Sequence, residues 1–258
     1  GLANYMNDES TLTLTLTGLG LLLIVIYGWF SYVVRESEGG LYDDQVDMSF
    51  RWGMAWFIFS EVMFFAAFFG ALYYARELSL PWLAGDGSGV STNQELWPSF
   101  ENVWPSNGPA NYGGDFVVMK AAGIPALNTI ILLISGLTVT WAHHGLKEGK
   151  RNQLILGLIA TVLLGFIFVG FQAYEYSHAY NDLNLKMSSG IYGSTFYMLT
   201  GFHGFHVTLG AIMLTVILFR CIRGHFTNQN HFGFEAVAWY WHFVDVVWLG
   251  LFVFVYWL

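Results

Sequence analysis

The stretch QLILGLIATVLLGFIFVGFQAY, residues 153–174, contains no charged side chain. A helix that crosses the hydrocarbon layer of a bilayer needs about 20 mostly apolar residues, so this stretch predicts a membrane-spanning helix. Five other stretches meet the same criterion. The predicted spans A to F are Leu12–Val34, Trp52–Ala75, Pro125–His143, Gln153–Tyr174, Ile191–Phe219 and Phe234–Leu258. We therefore predict an all-α, polytopic helix bundle that forms one membrane domain over residues 1–258.

The composition of the whole chain agrees with a membrane protein. Of the 258 residues, 55% are hydrophobic and only 11% are charged, whereas soluble domains carry about 25% charged residues. This excludes a free cytosolic enzyme and a disordered chain. The net charge of −8 argues against a nucleic-acid partner. The single cysteine, Cys221, excludes an intrachain disulfide and a thiolate metal cage.

The Lys and Arg residues outside the spans predict the orientation, because basic residues accumulate on the cytoplasmic side. Seven fall on one side and three on the other. The seven are Arg35, Arg51, Lys147, Lys150, Arg151, Arg220 and Arg223, and the three are Arg76, Lys120 and Lys186. Both termini and the long loop 77–124 are then expected outside, and the three Trp residues in that loop indicate an ordered cap. Residues 1–10 hold no basic residue, so we expect that a further helix precedes span A.

Glu61 is the clearest ionisable residue inside a predicted span. It lies ten residues past Arg51, or about 15 Å along the helix. A carboxyl group at that depth is expected to be protonated or hydrogen-bonded to another helix. Two interpretations stay open: a proton relay or reactive carboxyl, and an interhelical hydrogen bond that fixes packing.

Two histidines, His203 and His206, share one face of span E. Such a pair can ligate a metal ion or heme, which motivates the hypothesis of a heme-binding electron-transfer protein. Ligation needs further ligands at matching depth. His143 lies at the inner end of span C and His178 near the outer end of span D, so both are poor candidates. Ordinary core histidines are the favoured interpretation, and we predict no metal site.

Span F carries a polar stripe formed by Glu235, Trp239, His242 and Asp245. His242 and Asp245 are expected at a depth similar to that of Glu61 and His206, so a bundle interior would bring the four together. This motivates a second hypothesis, a stand-alone proton channel or transporter. A satisfied internal polar cluster without turnover is the favoured alternative.

Charged residues also crowd the predicted cytoplasmic rim. Five acidic residues, including Glu36, lie in the A–B loop. The other four form a candidate proton antenna: Glu38, Asp43, Asp44 and Asp47. A solvated loop is the simpler interpretation. Arg35, Arg220 and Arg223 lie where spans A and E leave the bilayer, and basic residues there suit lipid phosphates. Ordinary positive-inside topology explains them equally.

Five stretches of the chain carry a resemblance to a known family. The most specific is HFGFEAVAWYWHFVDVVW, residues 231–248, and the others are Arg51–Phe65, Asn128–His144, Gln172–His178 and Gly201–Val207. In these stretches the chain resembles the bacterial type of subunit III of the heme–copper cytochrome c oxidases, and the resemblance covers essentially the whole chain. The family has seven spans, and span A matches the second of them. A shorter quinol-oxidase relative lacks the first two spans, so the presence of span A favours the cytochrome c branch over a quinol oxidase.

The resemblance implies an accessory, metal-free subunit in a proton-pumping respiratory oxidase. The family's hemes and coppers reside in partner subunits I and II, and subunit III packs on subunit I. It holds phospholipids in a cleft between two helix groups and supports proton uptake. Glu61 matches the family's carbodiimide-reactive carboxyl, and positions that contact lipid head groups match Arg35, Glu36, Arg220 and Arg223.

The resemblance also implies where the subunit lies and what it meets. We expect the bacterial cytoplasmic membrane with the C-terminus on the periplasmic side, and the long loop looks like the expanded form of some bacterial members. Expected partners are subunit I, subunit II and small subunits, with cytochrome c as the substrate of the complex. A supercomplex with a cytochrome bc complex is a further expectation.

Overall fold

The computed structural model describes residues 12–111 and 113–257, and within them it contains helices and no strand. Six helices are long and apolar enough to cross a membrane, which confirms the predicted number of spans. In chain order, α1 to α6 are Thr13–Glu38, Asp44–Tyr74, Ile124–Lys147, Arg151–Asn181, Gly190–Arg223 and Phe232–Leu251. They correspond to spans A to F.

Every helix extends beyond its predicted span at one end or at both. Helix α2 begins at Asp44, well before the predicted start at Trp52. At this start, Asp43 Oδ1 accepts a hydrogen bond from the Val46 amide at 2.9 Å. Helix α5 continues to Arg223 and ends where Gly224 adopts a left-handed φ of 78°, a conformation that suits glycine. Hydropathy detects only the part of a helix that lies in lipid, whereas backbone hydrogen bonding continues into the polar interface.

The long connection between α2 and α3, predicted as the loop 77–124, is partly helical. A π-helical turn covers Ala75–Ser79. Two short α-helices follow at Leu80–Leu83 and Val90–Leu96, with a 3-10 turn at Gly87–Gly89 between them. The remainder packs onto the start of α5, where the Tyr192 amide donates to the Ser106 carbonyl at 3.2 Å. The Trp104 ring meets Tyr192 edge to face at a centroid distance of 5.6 Å. The expected ordered cap is therefore present.

The chain separates into two compact units, residues 1–52 and 53–258. In the first unit, α1 buries none of its residues. Tyr42 Oη donates to Glu36 Oε2 at 2.8 Å, and the Arg51 guanidinium pairs with Asp47 at 2.7 Å. The expected arrangement of two helix groups around a lipid-filled cleft, and the single domain over residues 1–258, stay predictions.

In the second unit, α3, α4, α5 and α6 form a ring in which each helix packs against two others. Trp241 of α6 lies at its centre and is fully buried. Its Nε1 donates to Ser135 Oγ of α3 at 2.9 Å. A Cβ added at Gly165 of α4 or at Gly210 of α5 would lie 2.7 or 2.9 Å from the indole. One side chain therefore contacts the other three helices, and the two glycines provide the space it needs.

The part of α2 that belongs to the second unit contacts this ring through large aromatic side chains. Phe64 meets Phe202 of α5 edge to face at a centroid distance of 5.0 Å, and Phe65 approaches Phe243 of α6 at 6.1 Å. These aromatic side chains pack between α2 and the four-helix ring, and beside them Glu61 makes a polar contact with His206.

Candidate functional site

Glu61 of α2 and His206 of α5 meet in the interior of the second unit. Glu61 Oε2 lies 2.9 Å from His206 Nε2. The exposed fractions of the side chains are 22% for Glu61 and 9% for His206, so the contact is largely shielded. The predicted interhelical hydrogen bond of Glu61 is therefore present, and its partner is the histidine that the sequence placed at similar depth.

The second ring nitrogen of His206 decides how many protons this pair holds. His206 Nδ1 lies 2.6 Å from the Phe202 carbonyl oxygen, and a carbonyl oxygen only accepts, so Nδ1 carries a proton. The 2.9 Å contact between Nε2 and Glu61 then needs one further proton. Either Glu61 is protonated and donates to a neutral imidazole, or an imidazolium donates to the carboxylate. In both arrangements the pair is electrically neutral, which suits its apolar surroundings.

Those surroundings are aromatic rings from α2 and α6. The centroid of Phe65 lies 5.2 Å from that of His206, and Tyr240 stacks on the imidazole at 6.3 Å. Phe243 closes another side at 6.4 Å. Because these neighbours are aromatic rings, the polar group that meets His206 Nε2 is the Glu61 carboxyl group.

His203, one helical turn before His206, serves a different contact. It is fully buried, and its Nε2 donates to the Val244 carbonyl oxygen of α6 at 3.0 Å. Its ring packs against Phe168 and Trp248 at centroid distances of 5.7 and 5.0 Å. The two histidines therefore join α5 to different helices, His203 to α6 and His206 to α2.

His242 and Asp245 form a separate pair on α6. His242 Nδ1 lies 3.6 Å from Asp245 Oδ2, and His242 Nε2 lies 3.2 Å from Thr140 Oγ1 of α3. Gly136 of α3 leaves room for the acid, because a Cβ there would lie 2.5 Å from Asp245 Oδ2. Of the four residues expected to share one place, Glu61 and His206 bond to each other, and His242 and Asp245 face α3 instead.

Glu235, the first residue of the predicted stripe, lies at the rim. Its Oε1 is 3.4 Å from His143 Nε2 and 3.3 Å from His231 Nε2, and Lys147 Nζ lies at 4.0 Å. Sequence reasoning set His143 aside and missed this cluster. The signal that was present is the spacing of His231 and Glu235, which are four residues apart at the start of a helix.

A further buried acid, Glu175 of α4, was also missed as a site residue. It is fully buried, and Tyr256 Oη donates to its Oε1 at 2.5 Å. Buried polar atoms of Glu175, Gln172 and Asn128 have no hydrogen-bond partner within the described part of the chain. Glu175 follows an apolar run directly, so hydropathy placed it at the end of a span.

The predicted rim residues are partly engaged in local contacts. Asp43 caps α2 and Asp47 pairs with Arg51, while Glu36 accepts from Tyr42; Glu38 and Asp44 are exposed. Arg35 and Arg223 are exposed as well, and the Arg220 guanidinium lies over the Phe226 ring at 4.3 Å. The antenna and the lipid contacts stay predictions.

Comparison with known proteins gives one consistent result. The family model described as "Cytochrome c oxidase subunit III" matches residues 1–85 and 96–258. A protein of Chondrus crispus named "Cytochrome c oxidase subunit 3" is 44% identical over 98% of this chain and 82% of its own length. A protein with the same name from Carassius auratus is 44% identical over 100% of this chain and 88% of its own length. Another from Tetraodon nigroviridis is 45% identical over 96% of this chain and 85% of its own length.

Proposed function

Because this chain belongs to the cytochrome c oxidase subunit III family, we propose that it acts in its terminal oxidase as an accessory subunit without heme or copper of its own. It is a multi-pass membrane protein of an oxidase complex. Electron transfer then takes place in partner subunits, and this chain supplies stability, lipid contacts and support for proton uptake.

The observation that carries the proposal is that the two histidines of α5 form hydrogen bonds to neighbouring helices. Heme ligation requires a free imidazole nitrogen with room for iron beside it. Both nitrogens of His206 are engaged, Nε2 with Glu61 and Nδ1 with the Phe202 carbonyl. His203 Nε2 is bonded to the Val244 carbonyl; its Nδ1 has no hydrogen-bond partner among the described residues, but the ring is fully buried and packs against Phe168 and Trp248. These histidines connect helices, which is the role expected of an accessory subunit.

The Glu61–His206 pair supports two parts of the proposed role. It links α2 to α5 and so stiffens the surface that would pack on subunit I. It also holds one proton in a neutral pair, which makes it a candidate for exchange with the proton-uptake path. We further propose phospholipid contacts at Arg35, Glu36, Arg220 and Arg223, and no heme or copper cofactor in this chain.

The expected surroundings complete the proposal. Subunit I is the main contact, with subunit II and small subunits nearby, and cytochrome c donates electrons to the complex. We place the protein in the bacterial cytoplasmic membrane with its C-terminus on the periplasmic side. The sidedness rests on the excess of basic residues in the loops opposite the long connection.

The test is to strip this chain from the purified oxidase and to follow heme and copper. We expect the heme absorbance and the copper content to stay with the remaining subunits, and the released chain to show no Soret band. A Soret band or copper in the released chain would overturn the accessory assignment and would favour a heme-binding electron-transfer subunit.

A further inference from the structure

The rim cluster around Glu235 has the chemistry of a metal site. His143 lies one turn before the end of α3, while His231 precedes α6 and Glu235 lies in its first turn. One ligand atom from each of the three residues lies within 4.8 Å of the other two. His231 and Glu235 are buried and His143 is half-buried. The α3–α6 contact therefore presents two imidazoles and one carboxylate at a single point.

The protonation of His231 shows that a positive charge belongs between these groups. His231 Nδ1 lies 3.1 Å from the Thr227 carbonyl oxygen, so Nδ1 donates, and Nε2 of the neutral ring carries a lone pair. That lone pair is 3.3 Å from Glu235 Oε1, and the buried Nε2 atoms of His143 and His231 make no hydrogen bond within the described part of the chain. A lone pair facing a carboxylate is repulsive unless a proton or a metal ion lies between them.

The two nitrogen-to-oxygen distances in the cluster fit a tetrahedral ion. Zinc binds imidazole nitrogen and carboxylate oxygen at about 2.0–2.2 Å, which places two ligand atoms of a tetrahedron about 3.3–3.5 Å apart. The two observed nitrogen-to-oxygen distances are 3.4 and 3.3 Å. Two His and one Glu with an open fourth position form a known zinc ligand set, and the hydrogen bond from His231 Nδ1 to a carbonyl orients that ring as metal-binding histidines require.

We propose that His143, His231 and Glu235 bind a divalent ion of the zinc class, which cross-links the end of α3 to the start of α6. This site is separate from Glu61 and goes beyond the accessory role. Two cationic side chains lie close to it. Lys147 Nζ is 4.0 Å from Glu235 Oε1 and its side chain is 52% exposed, so it can move into solvent. The Arg220 guanidinium lies against Gly233, two residues before Glu235.

The experiment uses the intact oxidase complex, stripped of loosely held metal with a chelator and then titrated with Zn²⁺. Mass spectrometry of the metal content gives the stoichiometry. We expect the wild-type complex to bind one more zinc ion than His231→Ala, and Glu235→Gln to bind that ion at least about tenfold more weakly. His144→Ala is the matched control, since His144 is the exposed neighbour of His143 and lies outside the cluster. Lys147→Ala should bind zinc more tightly, because a competing charge is removed.

A spectroscopic measurement covers the case in which a variant fails to assemble. The zinc X-ray absorption spectrum of the loaded wild-type complex, minus that of the chelated complex, should show two imidazoles and one carboxylate at about 2.0–2.2 Å. Equal zinc stoichiometry and affinity in the wild type, His231→Ala and Glu235→Gln would overturn the proposal, as would a spectrum without imidazole. In that case the positive charge is a proton on His231. Heme and copper analysis of the stripped chain is independent of either result.

Discussion

The side chains of Glu61 and His206 bond to each other at 2.9 Å, although they lie 145 positions apart and on different helices. His206 also donates to the Phe202 carbonyl, so the contact with Glu61 holds one proton in either of two arrangements. The pair is thus both an interhelical link and a proton-holding group, and substitutions can separate these properties.

Replacing Glu61 with Gln should preserve the link and remove the exchangeable proton. The Gln amide donates to the lone pair on His206 Nε2, so the thermal stability of the complex should stay close to wild type while carbodiimide labelling of this chain disappears. Glu61→Ala leaves the buried imidazole nitrogen without a partner, which costs about 1–3 kcal/mol. Thermal unfolding of the complex in detergent checks both. Equal destabilisation by Gln and Ala would show that the amide does not replace the link.

Substitution of Gly165 should destabilise the four-helix ring. A Cβ there would lie 2.7 Å from the Trp241 indole, and such overpacking costs about 1–3 kcal/mol. Gly170 is the matched control on the same helix, because a Cβ there meets nothing within 4 Å. Gly170→Ala should be neutral or stabilising by up to about 1 kcal/mol. Thermal unfolding measures both variants. A Gly165→Ala variant that is as stable as Gly170→Ala, or more stable, would contradict the packing described for Trp241.

The predicted sidedness can be read by cysteine labelling in native membranes. Glu101 in the long connection and Lys150 between α3 and α4 are both exposed, and the native Cys221 is buried. A membrane-impermeant maleimide should label Glu101→Cys on intact cells stripped of their outer layer, and Lys150→Cys only after the membrane is opened. Labelling of both variants from the same side would refute the topology.

Arg223 is the residue to test for lipid binding, because it is exposed at the end of α5. Arg223→Ala removes a charge that suits a lipid phosphate, so less anionic phospholipid should copurify with the complex. Lys186→Ala, on the predicted opposite side, serves as the control. Native mass spectrometry gives the bound lipid. An unchanged lipid content in Arg223→Ala would remove that residue from the lipid site.

The spans could be predicted from sequence because apolar length is a local property, and residues 153–174 show it without any knowledge of neighbours. Depth along a helix is also local, so Glu61 and His206 could be matched before their helices were placed. Rotation and pairing of helices are not local. The sequence put Glu235 and His242 on one stripe, but the ring of helices directs Glu235 to His143 at the rim and His242 to Thr140. The helical start of the long connection depended likewise on packing.

The most direct test of the accessory role is the behaviour of the oxidase during turnover without this chain. We predict that the depleted complex starts oxygen reduction at a rate close to that of the complete complex, takes up protons more slowly at high pH, and then inactivates within far fewer turnovers. Restoring the chain should restore the turnover lifetime. Equal turnover lifetimes with and without the chain, or a complete loss of initial electron transfer on its removal, would contradict the account.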